Sequence, residues 1–281
     1  MDTNKQKSFL LDNTKCIGCR ACQVACKQWN NLLAEKTKFF GGPGYQNPAN
    51  LSSSTFTLIR YHEVYKNGEM LGWVFAKHQC QHCISPACAN ACITGAMHKT
   101  EEGPVVWDEK KCIGCRYCMI ACPYNIPKFE WSKVIADIRK CTFCQDRILE
   151  GLPPSCSKAC PTGAILYGER GDLIKIAERR LKKNPEKYHQ HIYGLTEVGG
   201  TCVLNISSIP LEDFNPGYPE NLPKEAIGSK ITSFMKSISP VAIGLGAALG
   251  ITALIYNRKK EIAEMKNKDE TLLNEKEEKN E

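Results

Sequence analysis

The stretch DEKKCIGCRYCMIACP, from Asp108 to Pro123, places Cys112, Cys115, Cys118 and Cys122 at C-x2-C-x2-C-x3-C with a proline directly after. That is iron–sulfur spacing. Three thiolates on successive three-residue steps wrap one loop around a cube and reach three of its irons. The fourth, expected to start a helix ahead of Pro123, faces away and serves a second cluster. One such stretch therefore requires a partner elsewhere in the chain.

Three candidates are present. DNTKCIGCRACQVAC repeats the first stretch nearly residue for residue, with Cys16, Cys19, Cys22 and Cys26 at the same spacing. Asp12 matches Asp108, Lys15 matches Lys111, and CIGCR recurs intact, which marks an internal repeat. Lys27 replaces the proline. CQHCISPACANAC carries Cys80, Cys83, Cys88 and Cys92 with a loop two residues longer, and the last motif carries Cys141, Cys144, Cys156 and Cys160 across an eleven-residue loop. CPTGAI from Cys160 matches CITGAM from Cys92, so the order is A-B-A-B. These are two ferredoxin-like units of two half-sites each, an α+β arrangement that uses 16 of the 17 cysteines.

The odd cysteine count and the three-residue steps exclude a disulfide framework. Zinc is the serious alternative, since four-cysteine zinc sites also use C-x2-C pairs. A third cysteine three residues further on has no place in that scheme. His78 and His82 flank the second motif, but four thiolates already complete the set, so both are expected to be exposed or backbone-bonded. Cys202 reads as a small buried strand residue.

Net charge is +7, from 37 Lys+Arg against 30 Asp+Glu, with both signs interspersed, which is not the clustered footprint of a nucleic-acid binder. The start, MDTNKQKSFLLDN, carries no signal-peptide pattern, so cofactor insertion in the cytoplasm is expected. Residues 1–76 hold the first motif and a hairpin around Asn67-Gly68, residues 77–130 the inner ferredoxin-like unit, and residues 131–205 the fourth motif with a helix over 172–183 and a strand. A proline-rich linker or strap over a partner covers 206–236. Ser237 to Asn257 then runs 21 residues without a charge, long enough for one transmembrane helix, and 258–281 is a charged disordered tail. Arg258, Lys259 and Lys260 put that tail in the cytoplasm and the cluster domain outside.

No nucleophile with its base, phosphate loop or paired carboxylates is recognisable. Four one-electron centres and a membrane anchor without a substrate site describe a conductor.

CIGCRACQVACKQWN, AEKTKFFGGPGYQNPANLS, CTFCQDR, CPTGAILYGER and the single C-terminal span resemble the iron–sulfur (beta) subunit of membrane-bound formate dehydrogenases. The wider group comprises four-cluster subunits of molybdopterin oxidoreductases and of certain membrane hydrogenases, which CRYCMIACPYNIPKF and HIYGLTEVGGTCVL also resemble. Spacing alone lets the third motif pair with either neighbour; the resemblance implies that the outer motifs pair and the inner motifs pair. One 4Fe–4S cluster then takes Cys16, Cys19, Cys22 and Cys160, and its neighbour Cys141, Cys144, Cys156 and Cys26. The inner motifs give Cys80, Cys83, Cys88 with Cys122, and Cys112, Cys115, Cys118 with Cys92. The resemblance also implies a non-catalytic electron-transfer subunit in a bacterial inner-membrane complex, its cluster domain periplasmic and exported with a partner. Its partners would be a catalytic subunit with a molybdenum or tungsten pterin and a membrane cytochrome b or other quinone-reducing subunit. The alternative is the equivalent subunit of a nickel–iron hydrogenase or another pterin enzyme.

Overall fold

Strand β1 (Lys7–Asp12) lies at the centre of a three-stranded sheet, between β8 (Ile165–Glu169) and β9 (Val203–Ile206), and all but its first residue are buried. The computed structural model describes residues 2–37, 45–131 and 138–225, together with Leu249 and Thr252. Chain contacts divide it into Met1–Ile231 and Thr232–Glu281. In the second unit only Leu249 and Thr252 are described; both are helical, and Thr252 Oγ1 donates to the Leu249 carbonyl at 2.8 Å. The expected span 237–257 otherwise lies outside the described residues, as does the tail. Among the described residues no helix is long and apolar enough to cross a membrane.

In the first unit β1 leads into the first CIGCR loop and helix α1 (Ala21–Trp29). Strands β2 (Thr57–Lys66) and β3 (Glu69–Gln79) then form a hairpin. Its turn is Asn67-Gly68 with φ of 53° and 85°, the two left-handed residues that match the twist of the strands. After the second motif come α2 (Ala87–Asn90), β4 (Met97–Lys99) and β5 (Val105–Trp107). The third motif supplies α3 (Tyr117–Ala121), followed by β6 (Lys128–Phe129) and β7 (Ile138–Arg139). The fourth contains α4 (Gln145–Leu149) and α5 (Ser155–Lys158), and then come β8 (Ile165–Glu169), α6 (Arg170–Lys183), β9 (Val203–Ile206) and α7 (Leu211–Phe214).

The sequence repeat is also a repeat of strand pairing. The strand after each T-G-A run lies antiparallel to the strand before each CIGCR loop: β8 on β1, with Tyr167 opposite Phe9, and β4 on β5, with His98 opposite Val106. The strands between A and B motifs pair likewise, β2 with β3 and β6 with β7, so Lys77 faces Ile59 as Ile138 faces Phe129. Motifs one and four are thereby joined through β1 and β8, and motifs two and three through β4 and β5.

Alternation along β1 sorts its side chains. Phe9 and Leu11 face a core containing Cys22, Cys156 and Phe143, while Leu10 faces Leu173, Ala177 and Leu181 on α6. Those three are spaced four apart on one helical face, and the lysines and arginines of α6 fall mainly on the other, with Arg180, Lys182 and Lys183 in its last turn, where cations favour the helix dipole. Each fully buried leucine contributes about 1.5–3 kcal/mol.

The stretch from Leu211, expected as a proline-rich linker or a strap over a partner, begins with helix α7 and packs on its own chain. Leu211, Phe214 and Tyr218 are buried, and the Tyr218 hydroxyl donates to the Gln79 carbonyl at 2.5 Å and accepts from the Gln79 N–H at 2.8 Å. An aromatic ring with a hydrogen-bonded hydroxyl anchors the strap to β3 of its own chain.

Candidate metal centres

Each CIGCR loop is built the same way. Asp12 and Asp108 cap a short turn by accepting from the N–H of Thr14 at 3.2 Å and of Lys110 at 3.0 Å, which aims the chain into Cys16 and Cys112. Gly18 and Gly114 then take φ of 68° and 70°, and Arg20 and Arg116 take 60° and 63°. Two left-handed residues in three curl the backbone, and the helix begins immediately afterwards. Arg20 lies over the Tyr61 ring at 4.8 Å, and Arg116 lies over Phe129 at 4.5 Å and Trp131 at 4.4 Å. These cation–π contacts offset part of the strain of an arginine in that conformation.

The fourth cysteine does not start the helix, as the spacing suggested; the helix starts between the second and third cysteines. Cys26 sits well inside α1, which Lys27 lets run on to Trp29. Cys122 ends α3, in extended conformation at φ −77° and ψ 115°, because the following Pro123 disfavours a helical residue before it. Proline thus sets where this helix stops.

In the B motifs Pro86 and Pro154 precede α2 and α5, and Gly95 and Gly163 turn the chain at φ of 68° and 62°. The Thr94 and Thr162 hydroxyls lie 3.7 and 3.8 Å from the sulfurs of Cys92 and Cys160. Backbone N–H groups of Met97 and Phe143 donate to Cys92 Sγ and Cys141 Sγ at 3.3 and 3.4 Å. Such donors stabilise a thiolate over a thiol.

The sixteen motif cysteines line four cavities, four to each. Cys16, Cys19, Cys22 and Cys160 wall the first, and Cys26, Cys141, Cys144 and Cys156 the second. Cys80, Cys83, Cys88 and Cys122 wall the third, and Cys92, Cys112, Cys115 and Cys118 the fourth. Lys77 lines the first and second, Cys141 and Cys80 interact between the second and third, and Cys88 and Cys118 between the third and fourth. The four form a connected series. Only Cys19 and Cys115 are exposed, one at each end and at matching positions of the repeat.

Burial pushes the Cys22 and Cys26 thiols up to about 12, opposed by the Lys77 ammonium, and raises Cys118 to about 12 and Cys122 and Cys144 to about 11. Cys83 and Cys141 are driven well above the ordinary thiol value, also by burial. Cys92 is the exception: burial raises it, but the Met97 N–H and the Thr94 hydroxyl bring it below normal. Protonated thiols walled into such cavities release their protons when metal binds. Four sulfurs on separate walls, with N–H donors beside them, are the donor set of a cubane. Among the described residues no group of three or more His, Cys, Asp or Glu is arranged around a single ion.

Both flanking histidines are buried. His82 Nδ1 accepts from the Val105 N–H at 2.9 Å, so the ring is backbone-bonded, and burial lowers its pKa far enough to keep it neutral. His78, lowered to about 3 by burial and by Arg60, packs on the Tyr218 ring at 4.9 Å rather than facing solvent. Cys202 is fully buried beside β9. Reading the sequence missed Lys77, which lines the first two cavities, and Lys140, which lines the third; the signal available was their position three residues and one residue before the first cysteine of a B motif.

Two family models for a 4Fe–4S dicluster domain match residues 15–96 and 71–170. The chain is 36% identical to the iron–sulfur subunit of the nitrate-inducible formate dehydrogenase of Escherichia coli K12, over 86% of this chain and 81% of that protein. It is also 36% identical to the formate dehydrogenase iron–sulfur subunit of Haemophilus influenzae, over 87% of this chain and 77% of the other. The hydrogenase-2 operon protein HybA of Escherichia coli O157:H7 is 31% identical over 90% of this chain and 84% of its own length.

Proposed function

This chain belongs to the family of 4Fe–4S iron–sulfur subunits that includes those of formate dehydrogenases and HybA, electron-transfer subunits with four 4Fe–4S clusters, and we propose that each four-cysteine cavity holds one of them. The observation that carries the assignment is the partition of sixteen cysteines into four cavities of four, each taking three sulfurs from one motif and one from its partner. A 4Fe–4S cluster held at such a site takes up and releases one electron at a potential that hydrogen bonds and solvent exposure tune.

The protein's part is to hold the four sites in sequence, exclude water from the middle of the row and present its two ends. Buried thiols and apolar walls such as Phe9, Phe143, Val105 and Ile138 do the first two. Exposed Cys19 and Cys115, with Ile17 and Ile113 beside them at 59% and 61% exposure, form the ends at which partners exchange electrons. The subunit conducts and does not catalyse. One end faces a catalytic subunit with a molybdenum or tungsten pterin that oxidises formate; the other faces a membrane cytochrome b or quinone-reducing subunit, beside a span at 237–257. Similarity to HybA supports a second reading, in which the catalytic partner is a nickel–iron hydrogenase.

Purification of the intact complex under anaerobic conditions decides between them. Formate-driven reduction of the clusters with a molybdenum or tungsten subunit present is the expected result; reduction by hydrogen alone, with a nickel–iron partner, selects the second. Cluster reduction by neither, with no catalytic subunit present, contradicts both.

A further inference from the structure

Lys77 is 3% exposed and lines both the first and the second cavity. Its Nζ donates to Gln79 Oε1, a neutral acceptor, and among the described residues no carboxylate pairs with it. The sulfurs that face it belong to two different sites, Cys22 to the first and Cys156, Cys141 and Cys26 to the second; as cluster ligands they are thiolates, whose negative charge holds the ammonium. Gln79 Nε2, buried at the wall of the second cavity without a hydrogen-bond partner in the protein, adds a donor there.

The repeat supplies the comparison. Lys77 stands three residues before Cys80 on β3, and Ile138 stands three before Cys141 on β7, in the same place of the equivalent hairpin. Ile138 lines the fourth cavity as Lys77 lines the first. Ile17 and Arg20 at one end correspond to Ile113 and Arg116 at the other; Asp12 also lines the first cavity, where Arg180 pairs with it, and Asp108 does not line the fourth. A cation at one end answers an isoleucine at the other.

We propose that Lys77 is a charge-tuning residue shared by the first two clusters, raising both their potentials and making the two ends of the row electrically unequal. This rests on the ligand sets proposed above. Reduction adds one negative charge to a cluster, and a buried cation with no carboxylate to neutralise it favours the reduced state more strongly than the oxidised one.

The test is an EPR-monitored redox titration of the anaerobically purified complex in the wild type, Lys77→Met and Lys77→Arg, with iron and acid-labile sulfide measured on the same samples. In K77M two of the four midpoints fall, with the reduced-to-oxidised ratio at fixed potential dropping at least tenfold, about 59 mV for a one-electron couple. The other two stay in place, and K77R restores the first two toward wild type. Four intact clusters with unmoved midpoints in K77M, an equal shift of all four, or the same fall in K77R overturns the proposal. If K77M loses clusters, Lys77→Gln, polar and neutral, takes its place: a fall of the same two midpoints upholds the charge role and unmoved midpoints end it. Fewer than four clusters in the wild type is a different failure, that of the ligand sets, and shows in the iron and sulfide content.

Discussion

The two matching aspartates should differ sharply in what they hold together. Asp12 is 1% exposed and accepts from Arg180 Nη1 at 2.7 Å, the Tyr188 hydroxyl at 3.0 Å, Thr14 Oγ1 at 2.6 Å and the Thr14 N–H at 3.2 Å. It ties the first loop to α6 and to the segment after it. Asp108 caps its own turn through the Lys110 N–H and pairs with the exposed Lys111 at 3.7 Å. Asp12→Ala removes a buried carboxylate that accepts four hydrogen bonds, one of them from the partly exposed Arg180, a loss of about 3–5 kcal/mol. Asp108→Ala removes a cap, about 0.5–2 kcal/mol, and a surface pair of about 0–1 kcal/mol. With a urea slope of about 3 kcal/mol/M, Asp12→Ala lowers the unfolding midpoint by about 1–1.7 M and Asp108→Ala by less than about 1 M. The assay is anaerobic urea unfolding of the cluster-loaded protein, followed by visible absorbance and tryptophan fluorescence. Equal shifts for the two variants, or a larger one for Asp108→Ala, would refute the argument.

Cys118→Ser should disable the fourth site and stop transfer through the row, while substrate oxidation by the catalytic partner with an artificial acceptor survives; loss of that activity in an assembled complex contradicts a purely conducting role. Gly194→Ala places a Cβ against Thr201 Oγ1 and the Val203 carbonyl at a backbone φ of +91°, so strain and overpacking together cost about 2–5 kcal/mol, read as a lower urea midpoint. His191 Nε2 lies 2.7 Å from Glu197 Oε1, and this hydrogen bond raises the histidine above its ordinary 6.5. The stabilisation is full below 6.5 and disappears as pH rises through the higher folded value, so between pH 6 and 9 the wild type loses more stability than His191→Gln. Parallel pH dependences in the two proteins would dismiss this pair.

The cysteine framework was open to reading because iron–sulfur chemistry fixes ligand type and spacing locally, and the CIGCR repeat adds its own control. Strand β1 was less visible: SFLLD is a short apolar run buried on both faces, without the alternation that marks a half-buried strand. Tyr218 was hidden among prolines that read as an extended strap, since a side chain 139 residues from its partner Gln79 leaves no local trace. Lys77, in an otherwise ordinary strand, looks like a solvated residue until the hairpin brings it between two sets of thiols. The starts of α1 and α3 are set by the left-handed arginine before each helix, which spacing does not reveal, and Pro123 marks an end because it disfavours helix in the residue before it.

The central claim is that four cavities hold four clusters, and iron and acid-labile sulfide analysis of the anaerobically purified complex, with EPR of the reduced state, tests it most directly. The account predicts about sixteen irons and as many sulfides per chain, with signals from four one-electron centres. Zinc without sulfide, or iron for two clusters only while all sixteen cysteines remain intact, would contradict it.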